Sequence, residues 1–238
     1  MAGVPVLLAS IVLALLPSCR PGQPGDPRGV GRKLAPGDPG IELPGGSSED
    51  AIARADALRD AVAEGADPGP VLLSGLNDGD DLVRGTTVSL LLTAETGLVR
   101  KVLVTYQARR GPLYERDRPA ELRLLASELV GRRDLGDVID RTAVCRAALD
   151  DTDPLIRSRV AGRCAEAGLL DDAALERLAG DPHWAVRTRL ASALAGTADS
   201  GATCRTLRRL ADDTHATVRT AARRAGGRCS RGNPENSR

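Results

Sequence analysis

The chain has 238 residues and a formal net charge of +1, 33 basic against 32 acidic side chains, so bulk charge selects neither nucleic acid nor an acidic substrate. Trp184, Tyr106 and Tyr114 are its only aromatic residues besides two His, and with no Phe any core must be built from Leu, Val and Ala. The charge is uneven: Glu49 to Arg100 holds ten acidic and four basic residues, while Cys204 to Arg238 holds nine Arg against two Asp and one Glu.

At the N-terminus, Val4 to Leu16 is almost wholly apolar. That run is too short to span a bilayer as a helix and has the length of a signal-peptide core. No Lys or Arg precedes it. Leu16-Pro17-Ser18-Cys19 resembles a bacterial lipobox, which implies a signal peptide over 1–18, lipidation at Cys19 and a mature chain that starts there. Residues 20 to 48 hold six Pro among eight Gly, a composition that cannot bury a core and reads as a tether over 19–48. Arg20, not Asp, follows Cys19. In a diderm bacterium that resembles the outer-membrane sorting pattern, so the expected address is exported and membrane-anchored through lipid.

After the tether, one pattern recurs five times. An Asp is followed six residues later by an Arg, with an apolar residue just before the Arg: Asp78 and Val83-Arg84, Asp117 and Leu122-Arg123, Asp151 and Ile156-Arg157, Asp181 and Val186-Arg187, Asp213 and Val218-Arg219. The apolar residues are 39, 34, 30 and 32 apart. A step of that size marks stacked supersecondary units, not one closed globule.

Each unit reads as two antiparallel helices. Ser48 to Glu64 reads as a leading helix, capped by Ser47 or Ser48. Pro68 and Pro70 break into the first helix of unit one. Leu98 to Arg110 forms the first helix of unit two, followed by a longer loop through Gly111-Pro112. In unit four, Asp172 to Ala179 forms the first helix and Gly180 ends it. Asp181 then caps the second helix with Pro182 at its first position, and Val186, Leu190, Ala193 and Leu194 follow at helical spacing. The repeated domain spans 49–227, and 228–238 reads as a disordered basic tail. Asp and Arg six apart do not face each other on one helix. Each Asp can cap its own helix while each Arg reaches the Asp of an adjacent unit, a ladder that sets register.

These residues resemble the HEAT repeat, above all the bacterial HEAT-like or phycobilisome-lyase-like subset. Leu178-Ala179-Gly180-Asp181-Pro182-His183-Trp184-Ala185-Val186-Arg187, with Leu190 to Leu194, carries the match best. The resemblance covers Val71 to Gly227 and implies an all-α solenoid of about five helix pairs, with second helices lining a concave face. That family mostly binds proteins, and a minority handles bilins or damaged DNA. On such a face, Glu128, Arg159, Arg189 and Arg224 point outward, the three Arg making a basic strip beside Ser192 and Thr220.

Four Cys remain beyond Cys19. Cys204 and Cys229 fall on neighbouring helix ends, where a disulfide would clamp the last unit. Cys145 and Cys164 face the core of one pair, and a bridge and two buried thiols both fit. No zinc spacing, nucleophile elbow or phosphate loop occurs, so no metal, cofactor or catalytic set is expected. His183 and His215 read as turn residues, and Trp184 as a staple against its neighbour. Asn77 to Asp81 begins like a calcium loop, but Ser89 stands where the twelfth-position Glu belongs, so it reads as an acidic helix-capping turn.

The expectation is a non-enzymatic protein-interaction scaffold of the bacterial cell envelope whose partner is another protein; no nucleic acid is expected. Two alternatives belong to other classes. One is a module gripping anionic lipid or envelope polymer through the Arg-rich last unit. The other is an enzyme with an unrecognised site.

Overall fold

The structure is a computed structural model that describes residues 48–64, 67–196, 200–227 and 229. The expected signal peptide, Cys19 and the tether lie outside the described residues, as does the basic tail apart from Cys229. Among the described residues the chain is all-helical, with eleven α-helices, two 3₁₀ turns and no strand. No described helix is long and apolar enough to cross a membrane.

The helices are α1 (Ser48–Ala63), α2 (Gly69–Leu76), α3 (Asp81–Thr93), α4 (Thr96–Arg110), α5 (Ala120–Leu129), α6 (Arg141–Ala148), α7 (Pro154–Glu166), α8 (Asp172–Ala179), α9 (Trp184–Ala193), α10 (Gly201–Ala211) and α11 (Ala216–Gly226). The odd-numbered helices pack in chain order, α1 on α3, α3 on α5, α5 on α7, α7 on α9 and α9 on α11. Among the even-numbered helices, α2 packs on α4 and α8 on α10. The short α6 instead finds its neighbours in α5 and α7.

Small side chains let the odd helices approach. Ala126 on α5, Ala161 on α7 and Ala191 on α9 are each 0% exposed. Around them Leu72, Leu91, Leu103, Leu125, Leu129, Ile156, Leu190 and Leu207 are fully buried, each contributing about 1.5–3 kcal/mol. The aliphatic core that the composition demands is therefore one continuous seam.

Helix ends follow local chemistry. Asp171 accepts from the Ala174 N–H and Ser200 from the Thr203 N–H, capping α8 and α10. Gly111 closes α4 at φ +82° and Gly168 turns the chain after α7 at φ +69°, a region that favours glycine. Two disulfides are present. Cys145–Cys164 ties α6 to α7 with Cα atoms 6.1 Å apart. Cys204–Cys229 joins the start of α10 to the chain beyond α11 at 5.5 Å.

Expected boundaries differ in three places. The helix expected from Leu98 starts at Thr96. The α9 helix ends at Ala193, and Leu194–Gly196 tightens into a 3₁₀ turn. The cap of α9 is His183, not Asp181, with Pro182 outside the helix. The Asp181 carboxylate is already filled from two sides, as described next, and the cap passes two residues on.

Candidate functional site

Four of the five repeat Asp close a turn. A carboxylate oxygen accepts the N–H two residues ahead: Asp78 from Asp80 at 2.9 Å, and Asp151 from Asp153, Asp181 from His183 and Asp213 from His215, each at 2.8 Å. The residue so held becomes the cap. Asp80 accepts from Leu82, Asp153 from Leu155, and His183 through Nδ1 from Ala185. The expectation that each repeat Asp caps its own helix is thus displaced by two residues.

The carboxylate also receives an Arg fork from the preceding odd helix. Arg157 donates through Nε and Nη2 to Asp181 at 2.8 and 3.1 Å, and Arg187 does the same to Asp213 at 2.7 and 2.9 Å. Arg54 on α1 reaches Asp78 at 3.0 and 3.1 Å. The third nitrogen, Nη1, is spent at home: Arg84 binds the Asp78 carbonyl, Arg157 that of Asp151 and Arg187 that of Asp181, at 2.9, 2.8 and 2.6 Å. One guanidinium therefore fixes its own turn and its neighbour's.

The second rung departs from the pattern. Asp117 is exposed in the loop before α5 and meets no Arg among the described residues. Glu121, in the first turn of α5, takes its place and receives Arg84 Nε at 3.2 Å. The longer loop moves Asp117 off the stack, and the longer Glu side chain restores the contact. Arg123 then reaches Asp151, whose side chain is 0% exposed, through Nη1 at 2.6 Å. Tyr114, from the same loop, donates its hydroxyl to that carboxylate at 2.7 Å. Burial and then the Asp151 hydrogen bond push the Tyr114 hydroxyl well above its ordinary range, so it is a fixed donor and not a base.

Burial works against the charge of Asp151 and of Asp181, yet hydrogen bonds outweigh it and hold both below the usual carboxylate range. For Asp151 the donors are the Asp153 N–H, Tyr114 and Arg123; for Asp181 they are Arg157 and the His183 N–H. Asp213 is lowered first by Arg187.

A second polar line runs along α5, α7 and α9, and it gathers most of the expected face residues. Glu128 accepts Arg163 at 2.9 and 2.8 Å and lies 3.5 Å from Arg159. Arg163 also meets Glu166 at 3.2 Å, and Glu166 accepts Arg189 at 3.1 Å. Arg189 lies across Gly162, where an added Cβ would stand 2.3 Å from its Nε. The expected basic strip is thus a line of alternating sign, because Glu128 and Glu166 match Arg159 and Arg189. Arg224 stands apart, exposed beside a shallow hollow of about 310 Å³ that Ser192 and Thr220 also line.

Arg163 and Glu166 escaped the sequence reading. They lie seven and ten residues past the Ile156 anchor, turns that periodicity assigns to the buried side. A long Arg stem carries its charge out to Glu128 all the same. Tyr114 escaped because a loop has no period.

Trp184 is 43% exposed and stacks on His215 of the next turn, ring centroids 4.5 Å apart and planes 7° off parallel. That is the expected staple. A larger open cleft of about 930 Å³ lies beside α6, lined by Gln107, Tyr114, Asp137, Asp140, Arg141 and Val144 among others. Among the described residues no three His, Cys, Asp or Glu side chains are grouped to hold a metal ion. No protein-family model matches the chain, and no curated protein matches it.

Proposed function

We propose that the chain is a non-enzymatic protein-interaction scaffold, an α-solenoid of five HEAT-like helix pairs behind the leading helix α1, exported and held to the bacterial membrane by lipid on Cys19. One observation carries the reading. The same Arg fork joins consecutive turns at Arg54–Asp78, Arg157–Asp181 and Arg187–Asp213 with nearly the same distances. A device that repeats register along odd helices is what a stack needs in order to present an extended rigid surface. The surface proposed for the partner is the polar line through Glu128, Arg159, Arg189, Ser192 and Arg224, since alternating charge with short hydroxyl side chains suits a polar protein partner.

The test is photocrosslinking in whole cells, with the reactive side chain placed at Ser192 or Thr220 and, as control, at Val104 on α4, which is 52% exposed. Discrete adducts from the first two sites and none from Val104 are expected. Equal adducts from all three, or none, would defeat the choice of face. Intact mass of the membrane-extracted protein tests the anchor, and a chain retaining Met1 would overturn it.

A further inference from the structure

Among the described residues, the Arg ladder has a first acceptor that is filled and a last donor that meets no carboxylate. Asp78, the first acceptor, is filled by Arg54 of α1. Arg219, the last donor, makes the home contacts seen at Arg157 and Arg187: Nη1 binds the carbonyls of Asp213 and Thr214, both at 2.8 Å. Arg187 binds Asp181 and Pro182 in the same way. In Arg187 that anchor leaves Nε and Nη2 for the next carboxylate. In Arg219 nothing among the described residues meets those two nitrogens.

The neighbouring position on the helix has changed to suit. Five residues past the apolar anchor stand Val88, Ser127, Ala161 and Ala191, all buried, on helices that each pack on the following odd helix. In α11 that position is Arg223, and it is exposed. Arg208, on α10, is also exposed and donates only to the Cys204 carbonyl of its own helix. The face that would meet a sixth unit is therefore closed to apolar stacking and open to negative charge.

We propose that the exposed face of α11 is a docking site for an acidic protein segment, with the Nε/Nη2 edge of Arg219 receiving an Asp or Glu carboxylate as Arg187 receives Asp213, and Arg223 beside it. Arg54, Arg157 and Arg187 show which group fits: a planar carboxylate taken by two parallel N–H donors. A second copy stacked head to tail does not fit, because its first acceptor already holds Arg54. The inference rests on the interaction reading above, but on a different surface and with the partner's chemistry named.

The experiment follows the Arg Nε–H signals of the full-length chain by NMR during titration with poly-L-aspartate at about 0.15 M salt, where exposed long-range charge is screened. Arg219 and Arg223 signals are expected to shift together. Arg219→Lys should weaken binding about tenfold, since Lys keeps the charge but loses the fork. Arg223→Gln, at an exposed position with no partner among the described residues, should weaken it by about threefold with no change in thermal unfolding. Equal binding by Arg219→Lys would overturn the proposal, as would tighter binding to inorganic phosphate or to phosphatidylglycerol vesicles at equal charge. Binding that emerges only when Glu235 is changed to Gln would also overturn it, because the chain's own tail would then be the occupant. Loss here with the Ser192 adduct intact would remove the end site alone.

Discussion

Asp151 shows what a single residue can carry. Its carboxylate has no exposed surface, and it is met by Arg123, by the Tyr114 hydroxyl and by the N–H of Asp153. Taking one donor away leaves a buried charge short of its bonds, which costs more than the bond itself contributes. Arg123→Ala should destabilise the fold by about 3 kcal/mol, and Tyr114→Phe by about 1.5 kcal/mol. Because both donors serve one acceptor, the double variant should depart from the sum of the two, as urea unfolding of all three would show. Gly75 makes a complementary case without charge. An added Cβ would stand 2.2 Å from Thr87 Oγ1 and 3.1 Å from Leu58, and Thr87 already donates to the Val83 carbonyl inside the core. Gly75→Ala should therefore cost about 1–3 kcal/mol through overpacking, although Ala is the better helix former. An unchanged melting temperature for Gly75→Ala would show that Thr87 on α3 and Leu58 on α1 both give way freely.

At the scale of the element, the second unit separates what the sequence pattern signals from what the packing uses. By pattern Asp117 belongs to the ladder, and by position Glu121 does the work, paired with Arg84 at side-chain exposures of 23% and 14%. Glu121→Gln should cost about 1 kcal/mol, and Asp117→Asn should stay within about 0.5 kcal/mol of the parent protein. The reverse order in thermal unfolding would return the rung to Asp117. The same contrast explains which elements were legible. The α8 boundaries followed from Asp172 and Gly180, because capping and helix termination are local events written in adjacent residues. The start of α9 was not legible, since it depends on Arg157 from another helix filling the Asp181 carboxylate, a contact 24 positions away. The Cys204–Cys229 clamp could be reasoned from helix ends. The Cys145–Cys164 bond stayed undecided because core-facing thiols look alike in sequence whether bonded or free. Tyr114 and the Arg163–Glu166 pair carried no readable signal, for their roles are set by reach and not by period.

Across the whole molecule, the rungs act on one shared variable, the protonation of a row of carboxylates. Asp78, Asp151, Asp181 and Asp213 all sit below the ordinary carboxylate value in the folded chain. For the first three, burial opposes the shift and the donated hydrogen bonds exceed it; for Asp213 the Arg187 fork leads. A group whose folded value is lowered takes up protons more readily when the chain is unfolded. Its contribution is complete above the unfolded value of about 3.9 and is lost as pH falls through the lower folded value. Three of them, Asp151, Asp181 and Asp213, stand in consecutive turns and should lose their contribution together, because protonating one acceptor loosens the turn that presents the next donor. The melting temperature is therefore expected to stay level from pH 7 to about pH 5 and to fall steeply below about pH 4. Arg157→Gln supplies the control: without its fork Asp181 should titrate nearer its ordinary value, so this variant should start less stable at pH 7 and lose less on acidification. Parallel pH curves for the variant and the parent protein would mean that the rungs are ornaments of a stack held by its aliphatic seam alone. Converging curves would make the ladder a working part of the fold, with Arg219 a donor whose Nε and Nη2 meet no acceptor among the described residues.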